Sequence, residues 1–226
     1  ELATENNLAA RAADMIRQRF SLTKGLKIEL QKQVPMAAGL GGGSSNAAAV
    51  LVALKDLWQL PLTPTELLDM AATLGSDVPF FLSGGLALCE GRGERVTPVT
   101  AHWPASLRWL IVLKPAIGIS TANVFRALPP QDYTDGSHSR AVLSALQNGQ
   151  EPALEHLHNG LERGVLELYG EVNRAREEML QSGAAYVRLS GSGPTLFAPF
   201  ADLEQAAHTR QQLAQKGYEV YLTRAI

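Results

Sequence analysis

Cysteine is nearly absent: Cys89 stands alone among 226 residues, so no intrachain disulfide can form and a reducing, cytoplasmic setting is expected. The five histidines show neither an HExxH motif nor the paired Cys/His spacing of a structural zinc site, and that class is excluded. Long apolar runs are missing too, with nothing near the roughly 18 residues of a membrane span. The first residues carry Glu1, Glu5 and Arg11 where a signal peptide needs a basic start and an apolar core, so no membrane partner is expected. Basic tracts are lacking: 20 Lys and Arg nearly balance 22 Asp and Glu, for a net charge of −2, which disfavours a nucleic-acid partner. What remains is 46% hydrophobic residues, ample for one large globular domain or two small ones.

Against this background one stretch stands out, Pro35-Met36-Ala37-Ala38-Gly39-Leu40-Gly41-Gly42-Gly43-Ser44-Ser45-Asn46. A glycine-rich turn that opens into an alanine-rich helix exposes backbone N–H groups at the positive end of that helix, which suits the phosphates of a nucleotide. Walker A demands a lysine before its Ser/Thr, and neither Ser44 nor Ser45 has one. The dinucleotide fingerprint fits only if Ser44 replaces its last glycine, and no acidic residue ends a following parallel strand. A plain connector is an expensive use of four glycines in five residues, since each loses about 0.5–1 kcal/mol more than alanine on ordering.

Periodicity gives the frame. Asn6 and Asn7 are candidate caps for a helix from Leu8 to about Phe20; residues 26–34 alternate as a half-exposed strand that Pro35 ends. A helix follows from Ser44 to about Trp58, and Thr63, Pro64 and Glu66 mark the start of another, with Gly75 as its C-cap. Residues 86–89 and 96–99 read as a hairpin around Gly91 and Gly93. Residues 101–106, with Pro104, are the best candidate for a domain junction, giving domains 1–104 and 105–226. The second half reads as strand 109–113, helices 121–128, 140–148, 153–158 and 161–181, strands 185–189 and 195–200, helix 203–216 and strand 218–223. That order suggests an α+β layer with a mostly antiparallel sheet.

Two features keep alternative readings. Asp77 sits before Pro79, where it is either the cap of a short helix or a carboxylate that orients a hydroxyl or takes its proton beside Phe80, Phe81 and Leu82. Ser190-Gly191-Ser192-Gly193-Pro194 is either a simple hairpin or a loop whose backbone approaches a ligand.

Three segments together, Pro35 to Ala48, Leu74-Gly75-Ser76-Asp77-Val78-Pro79-Phe80-Phe81 and Ser190-Gly191-Ser192-Gly193-Pro194-Thr195, resemble the motifs of the GHMP small-molecule kinases in the family's order. The extended glycine run and Asn46 favour the cytidyl-erythritol branch over the mevalonate, homoserine and galactose branches. The resemblance implies a two-domain α+β fold: a GHMP nucleotide-binding domain, here incomplete at its start, and a ferredoxin-like C-terminal domain, with the active cleft between the halves. It implies transfer of the γ-phosphate of ATP, with Mg²⁺, to the 2-hydroxyl of 4-diphosphocytidyl-2-C-methyl-D-erythritol. Another small alcohol as acceptor, or an ATP-binding fragment without activity, is the competing expectation.

By the same resemblance Asp77 matches the catalytic aspartate. Lys32, Pro35, Ala37, Ala38, Gly39, Leu40, Gly41, Gly42, Gly43, Ser44 and Ser45 form the ATP site, with Ser44 also a candidate for holding the metal. Thr121, Phe125, Gly191, Ser192 and Gly193 join Asp77 at the acceptor substrate, Phe125 against the cytosine ring. On their residues alone, Lys32 reads equally as a solvated strand lysine and Phe125 as the apolar face of a short helix. Thr195 is ambiguous, since a strand hydroxyl often needs no ligand. The family also carries about 80 further residues ahead of the segment matching Glu1, including a lysine-bearing strand and an aromatic–histidine pair. The 226 residues by themselves are therefore expected to have little activity and to self-associate through an unpaired sheet edge.

Overall fold

Asn7 opens the first helix: its side chain accepts a hydrogen bond from Ala9 N at 3.0 Å, ahead of α1 (Leu8–Arg19), in a computed structural model that describes residues 7–225. Asn6, the other candidate cap, lies outside the described residues. Ala9, Ala12, Ala13 and Ile16 face inward from α1, and their small size lets it lie closely against α2 (Gly42–Leu57). α3 (Pro64–Leu74) starts on a full capping box, with Thr63 accepting from Glu66 N and Glu66 accepting from Thr63 N. A one-turn helix, α4 (Phe80–Ser83), leads to the antiparallel pair β1 (Ala87–Glu90) and β2 (Arg95–Pro98). Leu51, Leu54, Met70, Leu74 and Val78 fill the core between these helices.

Residues 26–34, expected as a strand, form none. A strand exists by its ladder, and among the described residues no segment pairs with this one. Its apolar positions are correspondingly poorly covered, Ile28 and Val34 being 37% and 41% exposed.

The second half is built on a four-stranded antiparallel sheet of order β4-β5-β3-β6, from β3 (Trp109–Lys114), β4 (Arg188–Leu189), β5 (Leu196–Phe200) and β6 (Glu219–Arg224). Leu113 pairs with Leu196 on one side and Val220 on the other, and Ile111, Leu113, Leu196 and Ala198 form the floor of the core. α8 (Gly170–Gln181) and α9 (Leu203–Gln215) cover it with Val172, Ala175, Met179, Ala206 and Leu213, a ferredoxin-like arrangement. α5 (Thr121–Ala127), α6 (Ser137–Gln147) and α7 (Glu162–Leu168) complete the unit.

Two sequence expectations are corrected here. The single helix over 161–181 is broken at Tyr169, whose φ of −125° and ψ of 88° are not helical, and Gly170 restarts it as α8. The helix over 153–158 shrinks to a 3₁₀ turn at Leu154–His156, because six residues yield too few hydrogen bonds to offset nucleation. The chain separates into two compact units: one holds the residues up to Met36 with Gly41–Val99, the other Ala37–Leu40 with everything from Thr100 onward.

Candidate active site

In the first unit the glycine run starts α2 two residues earlier than the alanine pattern suggests. Gly41, at φ 65°, is the N-cap, and a Cβ there would stand 2.5 Å from Phe81 Cζ, so both backbone conformation and space demand glycine. Ser45 N donates to Gly41 O at 2.9 Å, which leaves the N–H groups of Gly42, Gly43 and Ser44 ahead of the helical ladder. No side chain caps them and the first turn holds no acidic residue. Lys32 instead brings an ammonium to this end, donating to Gly42 O at 3.3 Å from a half-buried position. A cation beside the positive pole of a helix is unfavourable alone and favourable around an anion. Lys32 is thus part of the turn and not a free surface lysine. Ser45 Oγ donates back to Gly42 O at 3.1 Å, so Ser44 is the hydroxyl of the turn that is left for a ligand.

Asp77 lies between α3 and α4. The N-cap of α4 is Pro79, with no side-chain cap bond, so Asp77 does not take the capping role its sequence position allows. Its carboxylate is exposed, above buried Val78 and Pro79 and next to the edge-to-face pair Phe80 and Phe81, whose centroids are 5.2 Å apart. α4 packs on α2 and the Phe81 ring covers Gly41, which ties the segment bearing Asp77 to the start of α2. On its other flank runs the β1–β2 turn, where a Cβ on Gly93 would meet Asp77 Oδ1 at 3.8 Å. The Cys89 thiol of β1 feels the same carboxylate: desolvation raises its pKa and the negative charge of Asp77 raises it further.

In the second unit, Ser190 to Thr195 is indeed a hairpin connection, closed by Ser190 N to Thr195 O at 2.8 Å and Gly193 N to Ser190 O at 3.1 Å. It also meets another backbone closely. Gly39 (φ 71°) has no room for a side chain, since its Cβ would lie 2.4 Å from Ser190 O and 2.9 Å from Gly193 O. Ser190 Oγ donates to Gly39 O at 3.0 Å, which fastens Ala37–Leu40 to the loop. Ala37 itself is held at φ 51°, a region alanine seldom occupies, and Ala38 is buried. Thr121 Oγ1 and Ser192 Oγ are 2.8 Å apart, and Phe125 follows Thr121 by one helical turn on the same face of α5. Val124 is the residue of α5 that enters the core, whereas Phe125 is 55% exposed, so the apolar-face reading of Phe125 fails. Thr195 is fully buried with Oγ1 unpartnered.

Lys32, Gly41–Ser45 and Asp77 therefore gather in one unit, and Ala37–Leu40, Thr121, Phe125 and Gly191–Gly193 in the other. Pro35 is half-buried at the end of the 26–34 segment. Phe81 and Ser190 lie in segments that the sequence flags, but their partners were not legible there: Phe81 covers Gly41, 40 positions before it, and Ser190 bonds Gly39, 151 positions away. No three His, Cys, Asp or Glu side chains converge on a common point among the described residues. Ser44, the turn hydroxyl left for a ligand, is the group that would help hold Mg²⁺, an ion that keeps several waters and takes few protein groups. Among the described residues no helix is long and apolar enough to cross a membrane.

Residues 7–85 match the family model of the GHMP kinases N terminal domain, and residues 142–219 that of the GHMP kinases C terminal region. The chain is 38% identical over 221 residues to 4-diphosphocytidyl-2-C-methyl-D-erythritol kinase of Pelotomaculum thermopropionicum, spanning 97% of this chain and 76% of that relative. The enzyme of the same name from Exiguobacterium sibiricum is 40% identical over 223 residues, 98% and 77% of the two chains. A crystal structure of 4-(cytidine 5'-diphospho)-2C-methyl-D-erythritol kinase superimposes with a TM-score of 0.80 at 35% identity, covering 96% of this chain and 76% of that one.

Proposed function

Since the chain belongs to the GHMP kinases, and among them to the 4-diphosphocytidyl-2-C-methyl-D-erythritol kinases, we infer that it transfers the γ-phosphoryl group of ATP to the 2-hydroxyl of 4-diphosphocytidyl-2-C-methyl-D-erythritol. The observation that carries the assignment of residues is the start of α2: three N–H groups without intrahelical partners, no acidic side chain, and the Lys32 ammonium alongside. These groups would hold the phosphates of ATP and stabilise the charge that spreads over the transferring group. The chemistry Mg²⁺ supplies when bound is neutralisation of charge on the phosphate oxygens.

Asp77, free of any capping duty, would align the acceptor hydroxyl and take its proton. The oxygen of that hydroxyl forms the new P–O bond, the bond between the γ-phosphorus and its bridging oxygen breaks, and ADP leaves. Phe125 offers an exposed ring for the cytosine, and Thr121 and Ser192, bonded to one another, offer hydroxyls beside it. A cytoplasmic location belongs to the same reading and is supported by the lone cysteine.

Steady-state kinetics of Asp77→Asn and Phe125→Ala test these roles. Asp77→Asn lowers kcat about 10²- to 10⁴-fold with little change in the KM for ATP; Phe125→Ala raises the KM for the cytidylated alcohol about tenfold while leaving a non-cytidylated analogue unaffected. An unchanged kcat in the first, or an equal loss on both alcohols in the second, overturns the respective assignment.

A further inference from the structure

The loop from Ser190 to Thr195 contains two glycines at positive φ, Gly191 at 57° and Gly193 at 86°, with one serine between them. Such a sequence has many conformations of similar energy, so a single geometry must be imposed from outside. β4 ahead of it is only two residues long and lies at the edge of the sheet, so among the described residues the outward N–H and C=O of Leu189 have no strand to meet.

Asn159, between the 3₁₀ turn and α7, and Glu162, the first residue of α7, take both. Asn159 Nδ2 uses its two hydrogens on Leu189 O at 3.0 Å and Gly191 O at 2.8 Å, bridging the last residue of the strand and the first glycine of the loop. Asn159 Oδ1 accepts from Leu161 N at 2.9 Å, which fixes which end of the carboxamide faces the loop. Glu162 Oε2 accepts from Leu189 N at 2.7 Å, and its other oxygen pairs with Arg188 Nη1 at 3.3 Å. Leu157 O adds two more ties to the same strand region, accepting from Tyr186 Oη at 2.9 Å and Arg188 Nε at 2.6 Å.

We propose that Asn159 is a positioning residue of the kinase: its carboxamide holds the Gly191–Gly193 loop in the one conformation that receives the acceptor alcohol. The inference rests on the assignment of that loop to the acceptor substrate. Both carboxamide hydrogens and the carbonyl oxygen of Asn159 are spent on backbone groups, so it acts by pairing the outer edge of β4 and by locking Gly191. Asparagine is required because one group must give two hydrogens to carbonyls on one side and accept one on the other. Aspartate matches its shape and retains only the acceptor.

The test uses Asn159→Asp, Asn159→Ala and Ser192→Ala in the full-length protein, each checked for a cooperative thermal transition. Two measurements are made: amide hydrogen exchange over residues 190–195, and the separate KM values for ATP and the cytidylated alcohol. Asn159→Asp is expected to accelerate exchange in the loop and raise the KM for the alcohol about tenfold or more, with the KM for ATP within about twofold of wild type. Asn159→Ala reproduces this, which separates lost donation from the charge of aspartate. Loop exchange at the wild-type rate in both variants overturns the clamp. Faster exchange with unchanged kinetics, or an equal loss towards ATP and alcohol, overturns its role in positioning. If Ser192→Ala impairs use of the alcohol while both Asn159 variants behave as wild type, the present inference alone falls. If all three leave the kinetics intact, the assignment of the loop falls with it.

Discussion

Asp77 and Cys89 give the candidate site its own reporter. The thiol is accessible, and its pKa stands above the ordinary 9.0, first through desolvation and then through the charge of Asp77. Asp77→Asn removes the second cause, so the thiol pKa falls and alkylation by iodoacetamide at a fixed pH near 8 accelerates relative to the unsubstituted protein. An unchanged pH profile of alkylation would mean that the carboxylate and the thiol do not sense each other. At this scale the sequence was informative where chemistry dictates residue type: Asp77 and the glycines stood out by identity, whereas Phe125 entered only through the resemblance to the family. Asn159 did not stand out, because an asparagine between two helices has many uses and its carbonyl partners are 30 and 32 positions away.

Among the elements, α3 shows how much local chemistry can settle. Thr63, Pro64 and Glu66 announce its start, and the structure closes both halves of the capping box. The bonds from Thr63, with Arg19 adding a smaller contribution, hold the Glu66 carboxyl below its ordinary 4.5. A carboxyl whose folded pKa is depressed stabilises the fold fully above its unfolded value, and that contribution disappears as pH falls through the folded one. Glu66→Ala should therefore lower Tm at pH 7, and the gap to the unsubstituted protein should close as the pH drops below about 4.5. A gap that stays constant with pH would show that the ionised carboxylate contributes nothing at this cap. Residues 26–34 mark the limit of the same approach: their alternation was legible, yet alternation specifies a face and not a partner, and no ladder forms among the described residues. The break at Tyr169 likewise lay beyond what periodicity shows, since the apolar pattern runs through it.

For the whole molecule, two cores are filled by different residues: Leu51, Leu54 and Met70 in one, Ile111, Leu196 and Met179 in the other. Leu196 is completely buried at the centre of the antiparallel sheet, between Leu113 and Leu189 in the register. Leu196→Ala is expected to cost about 2–5 kcal/mol, read as a lower urea midpoint with an unchanged slope. A loss below about 1 kcal/mol would mean that the sheet closes around the vacated space. What the sequence could not disclose is that the backbone belongs to the second unit for just four residues, Ala37–Leu40, before resuming the first.

That brief excursion makes the polypeptide indivisible by a single cut. Severing it after residue 99 would strand Ala37–Leu40 on the wrong piece, and the hydroxyl of Ser190 would lose the Gly39 carbonyl to which it donates. Of the two products, the C-terminal one would keep its sheet and helices but lack a strut beneath its glycine loop. Dissection of this kinase into autonomous halves thus calls for two breaks and a transplanted tetrapeptide.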